Sequence, residues 1–213
     1  MRTPVIRLVD LGLDDGFARS MGFTQSLLAS INVSGIRSEV EYLRTSDPML
    51  VAHALTVPAR LIHIMCHGGY CDHGEPGFGG TNATGEHAVW LSLHDLADYL
   101  QRDGRGIQAT AVFADACDSA QHRFTDALRG AVTTRITYIG ASRQVDWHEC
   151  STFDSILYGS MLRAKGKGTE AHEWMFDAAI RSVNAYEEAV DGTCPFRVVE
   201  VVPNRQAFRA FGR

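Results

Sequence analysis

Long apolar runs are missing from these 213 residues. No stretch approaches the roughly 18 consecutive apolar residues of a membrane span. The start, MRTPVIRLVDLGLDDG, holds only a short apolar stretch broken by Arg7 and Asp10, so it lacks the core of a signal peptide. Lysine is nearly absent, with Lys165 and Lys167 against 18 arginines, and 20 basic against 25 acidic residues leave a net charge of −5. That balance argues against a broad nucleic-acid or anionic-membrane surface, although the arginines leave room for a local basic patch. Cysteine is sparse too. The five, Cys66, Cys71, Cys117, Cys150 and Cys194, form an odd, scattered set. A chain long enough to bury its own core needs no disulfide framework, so a reducing, cytoplasmic setting is expected. What remains is ordinary: 45% hydrophobic and 21% charged residues with 20 glycines exclude disorder, collagen and coiled coil.

Strand and helix patterns alternate along the chain. Val5–Leu11 reads as a first strand, followed by helical spacing at Phe17, Met21, Thr24, Leu28 and Ile31. Glu39–Arg44 reads as a second strand. Asp47-Pro48 then opens a short helix through Leu55, Asp as N-cap and Pro at the first position. Arg60–Cys66 is a third strand ending at His67-Gly68-Gly69. The Gly-rich stretch from Tyr70 to Val89 has no helical period and reads as a long loop. Ser92-Leu93-His94-Asp95 resembles a capping box. Ala109–Ala116 is a fourth strand, apolar enough to be buried on both faces. A helix with Phe124 and Leu128 follows, then a strand at Ile136–Ala141. Two helical patterns come next: Phe153, Ile156, Leu157 and Met161, then Met175, Ala179, Val183 and Tyr186, widened by Phe176 and Ile180. Phe196–Val202 is the last strand. The alternation predicts one α/β domain over residues 1–213, a six-stranded, mostly parallel sheet with helices on both faces. Two helices in succession return the chain to the end it left, which predicts an antiparallel last strand.

Ligands of open α/β sheets bind beyond the carboxyl ends of the strands. His67 directly follows the third strand and Cys117 the fourth. If those strands are neighbours, imidazole and thiol meet at one edge, the requirement for a cysteine nucleophile. Gly68 and Gly69 let backbone approach a substrate and leave amides to face an oxyanion. A helix after Cys117 is expected to lower its pKa. Asp115, two residues back, shares the side of the strand with Cys117 and suits recognition of a basic group.

Leu61–Gly69, LIHIMCHGG, and Ala111–Ala120, AVFADACDSA, together resemble the caspase-like cysteine peptidases, whose neighbouring strands end in His-Gly and in Cys. Tyr138–Trp147, YIGASRQVDW, the aromatics Phe153 and Tyr158, the turn Gly166-Lys167-Gly168 and the helix from Ala171 to Ala178 are similar to the bacterial CHAT branch. The resemblance implies a three-layer caspase-like sandwich. It implies His67 as general base, Cys117 as nucleophile, and the amides of Gly68 and Cys117 as the oxyanion hole. Relatives with Asp two residues before the nucleophile cleave after Arg or Lys. Asp115 is therefore expected in the pocket for the residue before the scissile bond, with Asp146 lining it. Arg143 keeps a caspase-type acidic preference open. Ala120 departs from the Gly of many relatives. No cofactor or metal is implied. The expected partners are a protein substrate, such as a gasdermin-like pore-former or another bacterial defence protein, and an activating partner.

Three other readings compete. The fold with a silent dyad would be a protein-interaction module. Cys66, His67, Cys71 and His73 cluster like zinc ligands, but strand alternation turns Cys66 away from His67. A flavodoxin-type nucleotide site is opposed by the acids of Gly12-Leu13-Asp14-Asp15-Gly16, where phosphate needs amides and a base. Cys150, near His148, is a rival nucleophile that core packing suits better.

Overall fold

A strand that is apolar on both faces needs a helical layer on each side, and the chain supplies both. The computed structural model describes residues 5–12, 15–33, 38–45, 47–81, 87–102, 104–161 and 169–204. The amino-terminal half of the chain runs β1 (Val5–Asp10), α1 (Asp15–Val33), β2 (Glu39–Arg44), α2 (Pro48–Thr56), β3 (Ala59–Met65), β4 (His67–Tyr70), β5 (Pro76–Thr81), β6 (His87–Ser92). The rest is α3 (Leu93–Arg102), β7 (Ala109–Asp115), α4 (His122–Leu128), β8 (Ile136–Ala141), α5 (Trp147–Met161), α6 (Thr169–Val190) and β9 (Phe196–Val201). The main sheet has six strands in the order β2-β1-β3-β7-β8-β9. All neighbours are parallel except β9, which runs antiparallel to β8. That is the architecture expected from the pattern. The turn Gly166-Lys167-Gly168 lies outside the described residues.

Alternation along each strand sorts the core into two layers. Ile62, Ile64, Val112, Ala114 and Tyr138 pack on α2, α3 and α4. Leu61, Met65, Ala111, Phe113 and Ile139 pack on α1, α5 and α6. The helix starts follow local rules. Asp47 Oδ1 accepts the Met49 amide at 2.8 Å, with Pro48 at the first helical position. Ser92 Oγ accepts the amides of His94 and Asp95, as the capping pattern predicts. Ile180 departs from its predicted apolar stripe: it is exposed, while Ser182 of the same helix is buried.

The largest departure is the Gly-rich stretch. Where the sequence reads as a loop from Tyr70 to Val89, β4, β5 and β6 form a second, antiparallel three-stranded sheet. Its glycines hide the strand signal because neighbours press on the backbone. A Cβ on Gly77 would stand 2.5 Å from the Leu91 carbonyl oxygen, and one on Gly79 would stand 2.9 Å from the Trp90 ring. Phe78, between them, is buried edge-on against Phe124, with ring centroids 5.2 Å apart. The sheet thus clamps β4, and with it His67, over the main sheet.

Candidate active site

β3 and β7 are adjacent, and Met65 is in register with Asp115. The Cys66 amide still donates to the Asp115 carbonyl at 3.2 Å beyond the last paired residues. Two residues past that pair the chains carry His67, the first residue of β4, and Cys117, in the turn after β7. Gly68 lies flat on the β7 exit. A Cβ there would collide with the Cys117 carbonyl oxygen and stand 2.8 Å from Ala116 Cβ. His67 is exposed and Cys117 half-buried.

Cys117 does not open a helix. A turn follows it, Asp118 has a left-handed φ of 56°, and α4 begins only at His122. The expected helix-dipole effect of α4 on this thiol therefore has no geometric basis. The turn is pinned by the Asp118 amide on the Arg143 carbonyl (3.2 Å) and the Ala120 amide on the Ala141 carbonyl (2.8 Å). Buried Ser119 accepts the Ala141 amide at 3.0 Å. The left-handed residue is Asp118, so the Ala at 120 is accommodated without strain. The Cys117 thiol faces the Val145 carbonyl at 3.9 Å.

The His67 ring meets Phe17 of α1 edge-on, centroids 4.9 Å apart, and Phe17 meets Trp147 of α5 in the same way at 4.5 Å. Phe17 is buried, whereas Trp147 is 41% exposed. Trp147 thus stands one ring away from His67, and Phe17 is a contact of His67 that periodicity assigned only to the core.

Beneath Cys117, Asp115 is 3% exposed. Its Oδ2 stands 3.2 Å from His63 Nε2, and the Cys150 thiol lies against the same carboxyl. His63 Nδ1 bonds the Tyr158 hydroxyl at 2.7 Å, and Thr24 Oγ1 donates to Asp154 Oδ2 at 2.9 Å. Burial holds Asp115 up to about 7 and Asp154, which also faces the Asp115 charge, up to about 8. The same burial presses His63 down to about 4, so the ring is neutral at pH 7. His63 and Asp154 escaped the sequence reading. Their signal was present in the spacing: His63, Met65 and His67 alternate onto one face, and Cys150, Asp154 and Tyr158 recur at helical spacing.

Asp146 is placed apart from this cluster. Exposed, it caps α5, accepting the Glu149 amide at 2.9 Å while Glu149 accepts its own amide at 3.2 Å. Arg143 is engaged by Glu149 and by the Gln144 carbonyl. The alternative zinc set does not converge: Cys66 is buried in the layer of α2 and α3, while His67 is exposed on the other side. The rival Cys150 is buried, and desolvation with the charges of Asp115 and Asp154 pushes its thiol far up, opposite to a nucleophile's need.

No family model and no curated protein matches the sequence. The structure is similar to a secreted C11 cysteine protease from Bacteroides thetaiotaomicron, iotapain. The TM-score is 0.54 and the identity 14%, over 83% of this chain and 62% of that one. A looser likeness, TM-score 0.48 and 9% identity, joins 90% of this chain to 45% of the Arg-specific cysteine proteinase gingipain R. This chain shares its fold with that C11 cysteine protease. It spans less than two thirds of the length of iotapain. The fold is the expected caspase-like α/β arrangement, a sheet with helices on both faces and an antiparallel last strand. Among the described residues no helix is long and apolar enough to cross a membrane.

Proposed function

We propose that the chain is a cysteine endopeptidase that cleaves proteins after arginine or lysine. The observation that carries this reading is that exposed His67 and half-buried Cys117 each follow the end of one of two adjacent parallel strands, with Gly68 packed against the Cys117 carbonyl. His67 takes the Cys117 proton, and the thiolate attacks the scissile carbonyl carbon. The C–N bond then breaks, the amine leaves with the proton from His67, and water hydrolyses the thioester. The amides of Gly68 and Cys117 are the donors for the oxyanion. Likeness to a C11 cysteine protease supports the class, and the CHAT-like motifs support that branch within it.

Asp115 is the carboxylate for the basic side chain, with Asp146 at the rim. Asp115 is closed over by Cys150 at the start of α5. Substrate entry therefore needs that end of the helix to yield, a step suited to an activating partner. The five unpaired cysteines support a reducing compartment. The test is a panel of fluorogenic peptides with Arg, Lys, Asp or Leu before the reporter. Wild type should release Arg and Lys reporters, and Cys117→Ala should lose at least about 10³-fold of that rate. Inertness toward every peptide, with candidate partners present, would leave the interaction-module reading in place.

A further inference from the structure

The proposed chemistry uses one carboxylate of the buried cluster and leaves the rest unexplained. His63 of β3, Asp115 of β7 and Asp154 of α5 bring one donor atom each to within 4.8 Å of one another. Their relative exposures are 0%, 3% and 0%. Phe113 stacks on the His63 ring at 4.3 Å, so the surroundings are largely hydrocarbon. Two carboxyl groups in such a place demand positive charge or protons. Among the described residues no Arg or Lys pairs with either of them.

We propose that His63, Asp115 and Asp154 are the ligands of one divalent transition-metal ion of the zinc class. Three observations converge on this. First, a tetrahedron with bonds of about 2.0 Å has ligands roughly 3.3 Å apart. His63 Nε2 and Asp115 Oδ2 stand 3.2 Å apart without hydrogen-bond alignment, the spacing of one tetrahedral edge. Second, Asp154 Oδ1 and both Asp115 oxygens are buried with no hydrogen-bond partner of good geometry, so acceptor capacity is left over at the centre of the cluster. Third, the outer partners are those that orient metal ligands. Tyr158 holds the far ring nitrogen of His63, which turns Nε2 toward the carboxyls, and Thr24 occupies the outer oxygen of Asp154. The Cys150 thiol, against Asp115, is at hand for the fourth position.

One nitrogen, two carboxylates and a thiol suit zinc, and are too few oxygens for calcium. Each ligand comes from a different element, so a bound ion ties α5 to the sheet. Where the peptidase reading holds, an ion on Asp115 also keeps that carboxylate from the basic side chain of a substrate. The binding itself does not rest on that reading.

The test uses the full chain carrying Cys117→Ala, which removes one half-buried thiol as a competing ligand. After chelator treatment the protein is dialysed against zinc, and bound metal is counted. One zinc per chain is expected, with a melting midpoint raised by about 5 °C or more at 100-fold excess over Kd. Asp154→Asn should weaken binding by about tenfold or more, while Cys71→Ser and His67→Ala leave it unchanged. Cobalt titrated into the same protein should give the visible bands of a tetrahedral ion, a readout that needs no further substitution. No bound zinc, undiminished binding in Asp154→Asn, loss of binding in Cys71→Ser, or a cobalt spectrum of the free ion would each overturn the site. Zinc bound here, with a wild-type chain that cleaves no peptide, keeps the site and sinks the peptidase. Cleavage by the wild-type chain with no zinc bound here does the reverse.

Discussion

Gly68 lies so close to the exit of β7 that any side chain on it would collide with the carbonyl oxygen of Cys117. The closeness is what brings the backbone after β3 alongside the thiol-bearing turn. Gly68→Ala is expected to cost about 1–3 kcal/mol of stability and to lower peptide cleavage by more than the folded fraction explains. Urea unfolding and kcat/KM on an Arg peptide measure the two effects. Unchanged values for both would show that the closeness is not needed.

Thiol exposure sorts the cysteines. Cys117 and Cys71 are half-buried, whereas Cys66, Cys150 and Cys194 are buried, and burial raises the pKa of each of those three. Brief iodoacetamide treatment of the native protein, read by peptide mass spectrometry, should modify Cys117 and Cys71 and spare the other three. Modification of Cys150 ahead of Cys117 would revive it as the nucleophile.

Phe17 packs edge-on against the His67 ring, which suits it to orient the imidazole. Phe17→Leu keeps an apolar side chain in the buried site but removes the ring edge that faces the imidazole. On the proposed role of His67 as general base, its displacement costs rate more than binding, so kcat should fall about tenfold with KM little changed. A change in KM alone would assign Phe17 to the substrate groove instead.

Metal-free protein should lose stability as pH rises from about 6.5 to 8. Asp115 and Asp154 titrate near 7 and 8 in the folded chain, both held up first by burial, against 3.8 when unfolded. The folded state therefore keeps protons that the unfolded chain has released, and stability falls with pH. His63, pressed to about 4, acts in the opposite sense, but only below its unfolded value of 6.5. Above that point the two carboxyls of the cluster set its contribution, at roughly 1–2 kcal/mol per pH unit. Asp154→Asn should flatten the upper part of the slope in urea titrations on chelator-treated protein. A stability that rises over this window would contradict the buried charges.

The parallel sheet was legible because its strands are continuous apolar runs and its helices carry capping residues, as at Asp47 and Ser92. The adjacency of the two strands that precede His67 and Cys117 followed from strand order alone. The second sheet was not legible. Gly77 and Gly79 are glycine because Leu91 and Trp90 press on them, and a strand of glycines shows no alternation. The buried cluster was missed for a related reason. His63 sits inside an apolar run and Asp154 inside an apolar helix stripe, where a polar residue reads as an interruption until its partner across the layer is known.

An arginine-bearing chloromethyl ketone tests the account most directly, because on the proposed function its side chain meets Asp115 and its carbon is attacked by the Cys117 thiolate once His67 has taken the proton. Mass spectrometry should find one adduct per chain, on Cys117, lost in His67→Ala and formed much more slowly by the leucine analogue. An adduct shared between Cys117 and Cys71, or one that forms at the same rate without His67, would contradict the account.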